Sequence, residues 1–174
     1  MASLPGWHEK AVARDHDRGE FDCGVPDLNE YLARYARQNH DLHYVTTFVA
    51  VPDDNPRRVL GYYSLCNAHV EFTNLPESLV HGLPRYPVPA VRLARLACDL
   101  SCQGLGLGRQ LLLCAAKRAI AVSELSGAVI LLVDAKNEQA AAWYEKNDAI
   151  CLLDDALRLV LPLASVRAAL ESSG

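Results

Sequence analysis

The sequence predicts an α+β fold in which a mixed β-sheet carries helices on both faces. Three observations lead to this class. Strand-like and helix-like segments alternate along the chain, two early strands are separated by only a short polar loop, and a glycine-rich turn connects a later strand to a long helix. A hairpin supplies antiparallel pairing and a strand–helix–strand unit supplies parallel pairing, so one sheet is expected to contain both.

Length, composition and charge are those of a globular domain. The 174 residues are 51% hydrophobic and 22% charged, so we expect one domain over residues 1–174. No run of 18 apolar residues and no signal-peptide pattern occurs, which predicts a cytoplasmic protein. The net charge of −4 gives no general sign of nucleic-acid binding. Six cysteines lack a C-x-x-C pair, so we expect reduced thiols and no metal.

The first half of the chain is expected to form a strand, a helix and a hairpin. A short strand is expected near residues 9–12, and Asp27 is a suitable N-cap for the helix that follows. The apolar positions of that helix recur at helical spacing, at Leu28, Tyr31, Leu32 and Tyr35. β-branched and aromatic residues fill residues 44–51 and 59–68 on either side of a polar loop, which predicts a β-hairpin.

A proline-rich connection leads to the next strand, and a short helix is expected within it near residues 77–81. Three prolines in the proline segment, residues 83–89, fix φ and remove N–H donors, so this segment is expected to be stiff and extended. Residues 91–98 form the next strand. Regular alternation would place Arg92 and Arg95 on opposite faces, unless a bulge intervenes.

The second half of the chain alternates helices and strands. A long helix is expected to begin near Leu107, and a buried strand follows at residues 128–133. Asn137 is a suitable N-cap for the next helix. Residues 157–163 form the last strand, and Ser165 is a suitable cap for a terminal helix.

The glycine loop, residues 103–108, is the most informative stretch for function. It has the sequence Gln-Gly-Leu-Gly-Leu-Gly, follows a strand and opens a helix. Backbone N–H groups and the helix dipole then converge on one position, which suits a pyrophosphate. Its spacing differs from the dinucleotide fingerprint, and Arg109 stands where a nucleotide P-loop has lysine. An ordinary strand-to-helix turn is the alternative interpretation.

Two motifs carry a resemblance to the GNAT acetyltransferase superfamily. The Q-x-x-G-x-G pattern of the glycine loop resembles the family's loop for the pyrophosphate of coenzyme A. Asn137, Ala140 and Tyr144 resemble a second family motif on the helix after the fifth strand. The Gly-Phe pair that often follows is replaced by Asp148-Ala149, a departure in the turn after this helix. The resemblance implies a GNAT fold with a mostly antiparallel sheet and acetyl-CoA as cosubstrate.

Further motifs narrow the resemblance to the GNAT toxins of bacterial type II toxin–antitoxin systems. They stand in order as Phe21-Asp22-Cys23-Gly24, Leu28-Asn29, Tyr31-Leu32, Gly61-Tyr62-Tyr63, Pro84-Arg85-Tyr86-Pro87-Val88-Pro89 and Leu93-Ala94-Arg95-Leu96-Ala97. The resemblance implies acetylation of the α-amine of aminoacyl-tRNA, which inhibits translation. It also implies a cognate antitoxin with a ribbon-helix-helix DNA-binding part, and a toxin homodimer.

Binding of acetyl-CoA is expected to involve the glycine loop and the strand before it. The loop would clamp the pyrophosphate, and backbone groups at the strand end would bind the pantetheine arm. One N–H there would polarise the thioester carbonyl, an oxyanion-type role worth about 3 kcal/mol. The expected contacts are Leu96, Ala97, Cys98, Gln103, Gly104, Leu105, Gly106, Leu107, Gly108 and Asn137.

Tyr144 is the candidate general acid for the departing thiolate, because a phenol is protonated at neutral pH and can donate a proton. The alternative is a core tyrosine packed beside Trp143. No carboxylate or histidine stands out as a general base. An α-amine, with an ordinary pKa of about 8, hardly needs one.

Arg85, Arg92 and Arg95 are the candidate tRNA-binding residues, because the guanidinium group matches the geometry of a phosphate. The alternative for each is a surface ion pair. Two other functions stay open at the level of sequence. One is a non-toxic acetyltransferase that acts on a small-molecule or protein amine, and the other is an inactive GNAT-fold binding module. Turnover of free amino acids or polyamines would favour the first, and failure to bind acetyl-CoA the second.

Overall fold

The structure, a computed structural model, describes residues 2–173. This part of the chain contains seven strands and six helices. The strands are β1 (Trp7–Ala11), β2 (Thr46–Pro52), β3 (Gly61–Val70), β4 (Val88–Cys98), β5 (Ile130–Asp134), β6 (Ile150–Cys151) and β7 (Arg158–Pro162). The helices are α1 (Pro26–Glu30), α2 (Ala36–Asp41), α3 (Glu77–Val80), α4 (Leu107–Ser126), α5 (Glu138–Lys146) and α6 (Leu163–Ser173). A π-helical turn, Tyr31–Tyr35, joins α1 to α2, and 3₁₀ turns occupy Arg18–Glu20, Phe72–Asn74 and Leu100–Cys102.

The strands follow the order β1-β2-β3-β4-β5-β7-β6 in the sheet. The pairs β1/β2, β2/β3, β5/β7 and β6/β7 are antiparallel, and β4/β5 is parallel. A short hairpin loop permits antiparallel pairing, whereas α4 forms the crossover that a parallel pair requires. The predicted α+β class with a mixed, mostly antiparallel sheet is therefore confirmed.

The described residues divide into two compact units, each with its own hydrophobic core. The first unit contains the residues up to Cys66 together with Ala94–Ala115. The second unit contains Asn67–Leu93 and the residues from Ala116 onward. The second core consists of aliphatic side chains that come mainly from strands, whereas the first also contains aromatic side chains and residues from helical segments and loops.

In the first unit, α2 packs against β2, and the carbonyl of Leu28 in α1 accepts from the Tyr62 hydroxyl in β3 at 2.7 Å. The buried core residues are Val12, Phe21, Cys23, Tyr31, Leu32, Ala36, Val49, Val51, Val59, Tyr62 and Ala97. The predicted first strand and the predicted hairpin are confirmed, with Val49 pairing with Tyr62 at the centre of the hairpin. The helical spacing of the apolar residues is interrupted by the π-helical turn, which sequence periodicity did not indicate.

The start of the first helix differs from the prediction. Asp27 is not its N-cap: Val25 occupies that position with an extended backbone, and its carbonyl accepts from the N–H groups of Leu28 and Asn29, both at 3.1 Å. Pro26 fills the first helical position, where its fixed φ suits the helix and its missing N–H would have had no partner. The Asp27 carboxylate lies in the first turn instead, where the helix dipole favours it.

In the second unit, β7 lies between β5 and β6 and pairs with both. The buried core residues are Val70, Leu75, Val88, Ala90, Ile130, Leu132, Leu152 and Val160. The predicted buried strand, the short helix after Pro76 and the Asn137 cap are confirmed. Two features differ from expectation. The two-residue strand β6 was not predicted, and Ser165 is not a cap, because α6 already begins at Leu163.

Among residues 2–173, no helix combines the length and the apolar composition needed to cross a membrane. Helix α4 is the longest at 20 residues, but Arg109, Lys117 and Arg118 interrupt its apolar positions. The side chains of Leu107, Leu111 and Ala115 are fully buried on one face of it. Because these positions recur every four residues, they form one apolar stripe along the helix.

Candidate active site

Asp99 fixes the turn between β4 and the glycine loop. Its backbone N–H donates to the carbonyl of Leu60 (2.8 Å), and its carboxylate accepts from the backbone N–H groups of Asp22 (3.0 Å) and Ser101 (3.1 Å). Burial alone would raise the pKa of Asp99, but these hydrogen bonds, the Ser101 hydroxyl and nearby Arg58 together lower it. The ionised carboxylate therefore holds the backbone where the glycine loop begins.

The side chain of Gln103 holds the glycine loop from within. Its Nε2 donates to the carbonyl oxygens of Cys23 (2.9 Å) and Cys98 (3.0 Å). The Cys23 N–H in turn donates to Asn29 Oδ1 (2.9 Å), and Asn29 Nδ2 donates to Asp22 Oδ1 (2.9 Å). Two of the quoted motifs, residues 21–24 and 28–29, thus serve to position this loop. Because the Gln103 amide already donates to two protein carbonyls, we expect an anion at this loop to be bound by backbone N–H groups.

Gly104 and Gly106 leave the glycine loop open. Their φ angles are +78° and +90°, which an L-residue adopts only with strain. Among residues 2–173, no heavy atom outside the glycine and its two chain neighbours lies within 4 Å of the position that a Cβ would take at Gly104 or Gly106. Helix α4 begins at Leu107, so the first N–H groups of the helix lack partners within it. This open concave backbone at the positive end of a helix suits a pyrophosphate.

Arg109 is a candidate cofactor contact that the sequence reasoning missed. It lies in the first turn of α4, its side chain is exposed, and it forms no ion pair within residues 2–173. A guanidinium there adds positive charge beside the glycine loop. The signal available in the sequence was its position directly after Gly108, at the start of the predicted helix.

Close packing at Gly61 sets the position of α4 in the first unit. A Cβ at Gly61 would lie 2.8 Å from Leu111 Cδ1, 3.1 Å from Leu107 Cδ2 and 3.0 Å from the carbonyl oxygen of Ala97. Leu107 and Leu111 are fully buried, so they have little room to move. The absence of a side chain at this position therefore lets the start of α4 approach β3 and β4 directly.

Tyr144 lies on α5 in the second unit, and its position is closely fixed. Only 8% of it is exposed, and its ring meets that of Trp143 edge to face with centroids 5.0 Å apart. Asn137 caps the start of α5, accepting from the N–H of Ala140 at 2.8 Å. At the other end, the carbonyl of Tyr144 accepts from the N–H groups of Asn147 (3.0 Å) and Ala149 (3.1 Å). The Asn137 side chain is thus engaged in capping.

Comparison with known proteins identifies the family. The sequence profile of the Acetyltransferase (GNAT) family matches residues 11–148, most of the chain. This chain belongs to the GNAT acetyltransferase family. As a GNAT enzyme it is an N-acetyltransferase that uses acetyl-CoA as cosubstrate.

Relatives of known name extend the match over nearly the whole chain. The chain is 34% identical, over 159 residues, to the tRNA-acetylating toxin of Mycobacterium tuberculosis (strain ATCC 25618 / H37Rv), covering 91% of this chain and 93% of that one. It resembles AtaT complexed with acetyl-methionyl-tRNAfMet, with a TM-score of 0.88, 30% identity and coverage of 95% and 99%. It also resembles an AtaT mutant toxin bound to the C-terminus of the antitoxin AtaR and to acetyl-CoA, with a TM-score of 0.80, 27% identity and coverage of 94% and 98%.

The departure from the GNAT motif after α5 has a structural explanation. Asp148 occupies the position of the family's usual glycine, with φ of +74°. Glycine takes this left-handed conformation without strain, and aspartate is among the few other residues that take it readily. The turn that glycine would make is therefore formed with aspartate in its place.

The strand end in the first unit shows no sign of a nucleophilic cysteine. Burial, reinforced by the neighbouring Cys102 and Cys23, raises the pKa of the Cys98 thiol to about 12. A thiol this weakly acidic is protonated at neutral pH and is a poor nucleophile. The Cys98 thiol is therefore not suited to carry the acetyl group as a covalent intermediate.

The three arginines predicted to contact tRNA differ in their surroundings. In the first unit, the Arg95 guanidinium carbon lies 3.5 Å from the centre of the Tyr31 ring, a cation–π contact at the start of the π-helical turn. In the second unit, Arg92 forms an ion pair with Asp134, which Arg158 also approaches. Arg85 is exposed and forms no ion pair within residues 2–173.

The structure thus groups the predicted residues within each unit. The first unit contains Arg95 and every predicted cofactor contact from Leu96 to Gly108, and the second contains Arg85, Arg92, Asn137 and Tyr144. His69 Nε2 lies 3.9 Å from Glu71 Oε1 in an exposed pair in the second unit. No cluster of three or more His, Cys, Asp or Glu side chains among residues 2–173 could hold a metal ion.

Proposed function

We propose that this chain acetylates the α-amine of an aminoacyl-tRNA and thereby acts as a toxin that blocks translation. The observation that carries the proposal is the match, over nine-tenths of both chains, to a relative named tRNA-acetylating toxin. The likeness to AtaT complexed with acetyl-methionyl-tRNAfMet supports the same acceptor. We take residues 1–174 to act as one acetyltransferase domain.

The distribution of charge supports an RNA substrate. Residues 78–98 contain three arginines (Arg85, Arg92 and Arg95) and one histidine but no carboxylate, although the chain as a whole has a net charge of −4. Affinity for RNA depends on the phosphates that basic groups contact and not on the total charge of the protein. We propose that Arg85 and Arg95 contact phosphates, whereas Arg92 is largely occupied by Asp134.

The proposed reaction assigns one proton transfer to Tyr144. The neutral α-amine attacks the thioester carbonyl carbon, a C–N bond forms, and the C–S bond breaks. The hydroxyl of Tyr144 donates its proton to the leaving thiolate. The proton that the amine loses is returned to the tyrosinate through solvent. The fixed position of Tyr144 on α5 supports this role, because a general acid must be held in reach of the group that it protonates.

The glycine loop and the end of β4 supply the remaining roles. We propose that the backbone of residues 103–108, with Arg109, binds the pyrophosphate of acetyl-CoA. Backbone groups of Leu96, Ala97 and Cys98 bind the pantetheine arm and polarise the thioester carbonyl. Asn137 acts indirectly, because it caps the helix that carries Tyr144.

We further propose that an antitoxin neutralises the enzyme. AtaT, which this chain resembles, binds the C-terminus of the antitoxin AtaR. We expect the cognate antitoxin of this chain to carry a ribbon-helix-helix DNA-binding part, the enzyme to be a homodimer, and both to be cytoplasmic, where charged tRNA is found. An adjacent small reading frame of that type would support this.

Cell-free translation tests the proposed function. Purified protein with acetyl-CoA is expected to stop protein synthesis, and omission of acetyl-CoA or the Tyr144→Phe variant is expected to restore it. Fresh charged tRNA should revive an arrested reaction once the enzyme is removed. Undiminished synthesis by a protein that binds acetyl-CoA would overturn the proposal and direct attention to a small-molecule or protein amine.

A further inference from the structure

We propose that Tyr86 is a stacking platform for an unpaired base at the 3′ end of the acceptor tRNA, with Arg85 beside it for a neighbouring phosphate. This inference rests on the proposed function and deepens it. It assigns to the proline segment a site for single-stranded RNA.

The first observation is the isolation of the Tyr86 ring. The residue is 73% exposed, and its side chain makes no hydrogen bond or ring contact within residues 2–173. The other tyrosines of the quoted motifs behave differently, since Tyr62 and Tyr63 are fully buried. The Tyr86 side chain is therefore largely accessible to a planar partner.

The second observation is that this exposed ring stands on an ordered backbone. Pro84 and Pro87 flank Arg85 and Tyr86, and each fixes its own φ. The N–H of Tyr86 donates to the carbonyl of Pro84 at 2.9 Å, which closes a tight turn. The carbonyl of Pro89 accepts from the N–H of Val129 at 2.9 Å, which attaches the end of the segment to the strand region. Little conformational entropy is therefore lost when a ligand stacks on the ring.

The third observation is the charge next to the ring. Arg85 is exposed, forms no ion pair within residues 2–173, and lies in the carboxylate-free stretch 78–98. A guanidinium beside an aromatic ring offers a single-stranded nucleic acid a phosphate contact together with a stacking surface. Single-stranded ends are the regions of RNA whose bases are free to stack on aromatic side chains.

An unpaired base fits this segment better than a protein partner. Protein interfaces centre on a contiguous cluster of apolar side chains. In the proline segment Tyr86 is the one large apolar side chain that is exposed, because Leu83 is half-buried and Val88 is buried. A solitary ring with an adjacent cation matches the combination that binds single strands.

The experiment measures KM for charged tRNA in matched variants. Tyr86→Ala is expected to raise KM about tenfold with little change in kcat, within the range for loss of one base–aromatic stack. Tyr86→Phe keeps the ring and is expected to stay within about twofold of the wild type. Tyr44→Ala is the matched control, because Tyr44 is equally exposed at 76% and lies in the first unit. Both positions are at the surface, so the unfolding temperatures of the three variants should not differ from that of the wild type.

A second arm identifies the base. Chemically aminoacylated tRNAs are prepared with an abasic site at one unpaired 3′ position each. Removal of the base that stacks on Tyr86 should raise KM for the wild-type enzyme. For that tRNA, KM of the Tyr86→Ala variant should be no higher than KM of the wild type. Three results would overturn the stacking role. One is an unchanged KM in Tyr86→Ala, and another is an equal rise of KM in Tyr86→Phe. The third is that the KM increases from Tyr86→Ala and from the abasic site are fully additive at every position. So would a defect confined to antitoxin binding. Failure of the proposed function is distinguishable, because the wild type itself would then not acetylate charged tRNA.

Discussion

The glycine loop and the proline segment present opposite surfaces to a ligand. The glycine loop has small or engaged side chains: the Gln103 amide donates to two protein carbonyls, and Gly104 and Gly106 leave open space above the backbone. The proline segment has few free N–H groups and presents side chains instead, with Arg85 and Tyr86 exposed. The glycine loop is therefore suited to bind a ligand through its main chain, and the proline segment through its side chains.

This difference follows from what each stretch is proposed to bind. A pyrophosphate is an anion of fixed shape, so converging N–H groups and a helix dipole suffice, and the backbone supplies both. The end of a tRNA offers a flat base and separate phosphates, which an aromatic ring and a guanidinium match. Substitutions in the glycine loop should therefore act through backbone conformation, and those in the proline segment through the chemistry of the side chain.

The largest effect is expected from a residue that belongs to neither stretch. Tyr144→Phe removes the proposed proton donor while the ring and its contact with Trp143 persist. We expect kcat for charged tRNA to fall by about 10²- to 10⁴-fold, the range for loss of a general acid, with an unchanged Kd for acetyl-CoA. Tyr44→Phe, which removes a hydroxyl from an exposed ring, is the control. Full activity in Tyr144→Phe would remove the tyrosine from the mechanism.

The next effect tests the backbone role of the glycine loop. Gly106→Ala places a methyl group in the space above the loop and strains a residue with φ of +90°. We expect acetyl-CoA to bind about tenfold more weakly by calorimetry, because the loop must shift its N–H groups. Gly127→Ala carries the same strain, with φ of +89° and equally open space, at the C-terminal end of α4. Similar losses of acetyl-CoA affinity in both variants would contradict a binding role for the loop.

A smaller effect is expected from the Arg95–Tyr31 stack. Lysine in place of Arg95 keeps the charge but loses the planar guanidinium that lies over the Tyr31 ring. We expect KM for charged tRNA to rise about threefold to tenfold, with no change in acetyl-CoA affinity. Arg34→Lys is the control. Arg34 lies in the same π-helical turn as Tyr31, but it is exposed and pairs with Glu30. If Arg95→Lys has the same KM for charged tRNA as the wild type, the Arg95–Tyr31 contact has a structural role only.

The smallest effect concerns acid stability. The pKa of Asp99 is lowered in the folded protein, so its carboxylate stabilises the fold at pH values above the ordinary aspartate pKa of about 3.9. That stability is lost as the pH falls through the folded-state pKa. Below about pH 4, the thermal unfolding temperature of Asp99→Asn should therefore fall less steeply than that of the wild type. Parallel curves would show that Asp99 contributes nothing to the start of the loop.

Elements with a strong local signal could be predicted from the sequence. The strand-to-helix turn at the glycine loop, the start of α4 at Leu107 and the Asn137 cap depend on residues close together in the chain, and each of these structural predictions is confirmed. Caps were predicted less well. Asp27 and Ser165 are both good capping residues, yet Pro26 starts one helix earlier and α6 begins at Leu163 directly after β7.

Features that depend on distant residues could not be predicted. The two-residue strand β6 is too short to show any alternation, and its pairing with β7 defines it. The stack of Arg95 on Tyr31 joins positions 64 residues apart in the chain, and the π-helical turn at Tyr31 has no period of its own in the sequence. Asp148 looked like a loss of the family's turn, whereas it takes the left-handed conformation that glycine would take.

Transfer of label from acetyl-CoA to charged tRNA would demonstrate the proposed reaction itself. Purified protein is incubated with labelled acetyl-CoA and total aminoacylated tRNA, with the same tRNA after deacylation as control, and label in the RNA is measured. Label is expected only with charged tRNA, and digestion should release it as an N-acetyl amino acid. Absence of label in charged tRNA, from a protein that still binds acetyl-CoA, would exclude aminoacyl-tRNA as the acceptor.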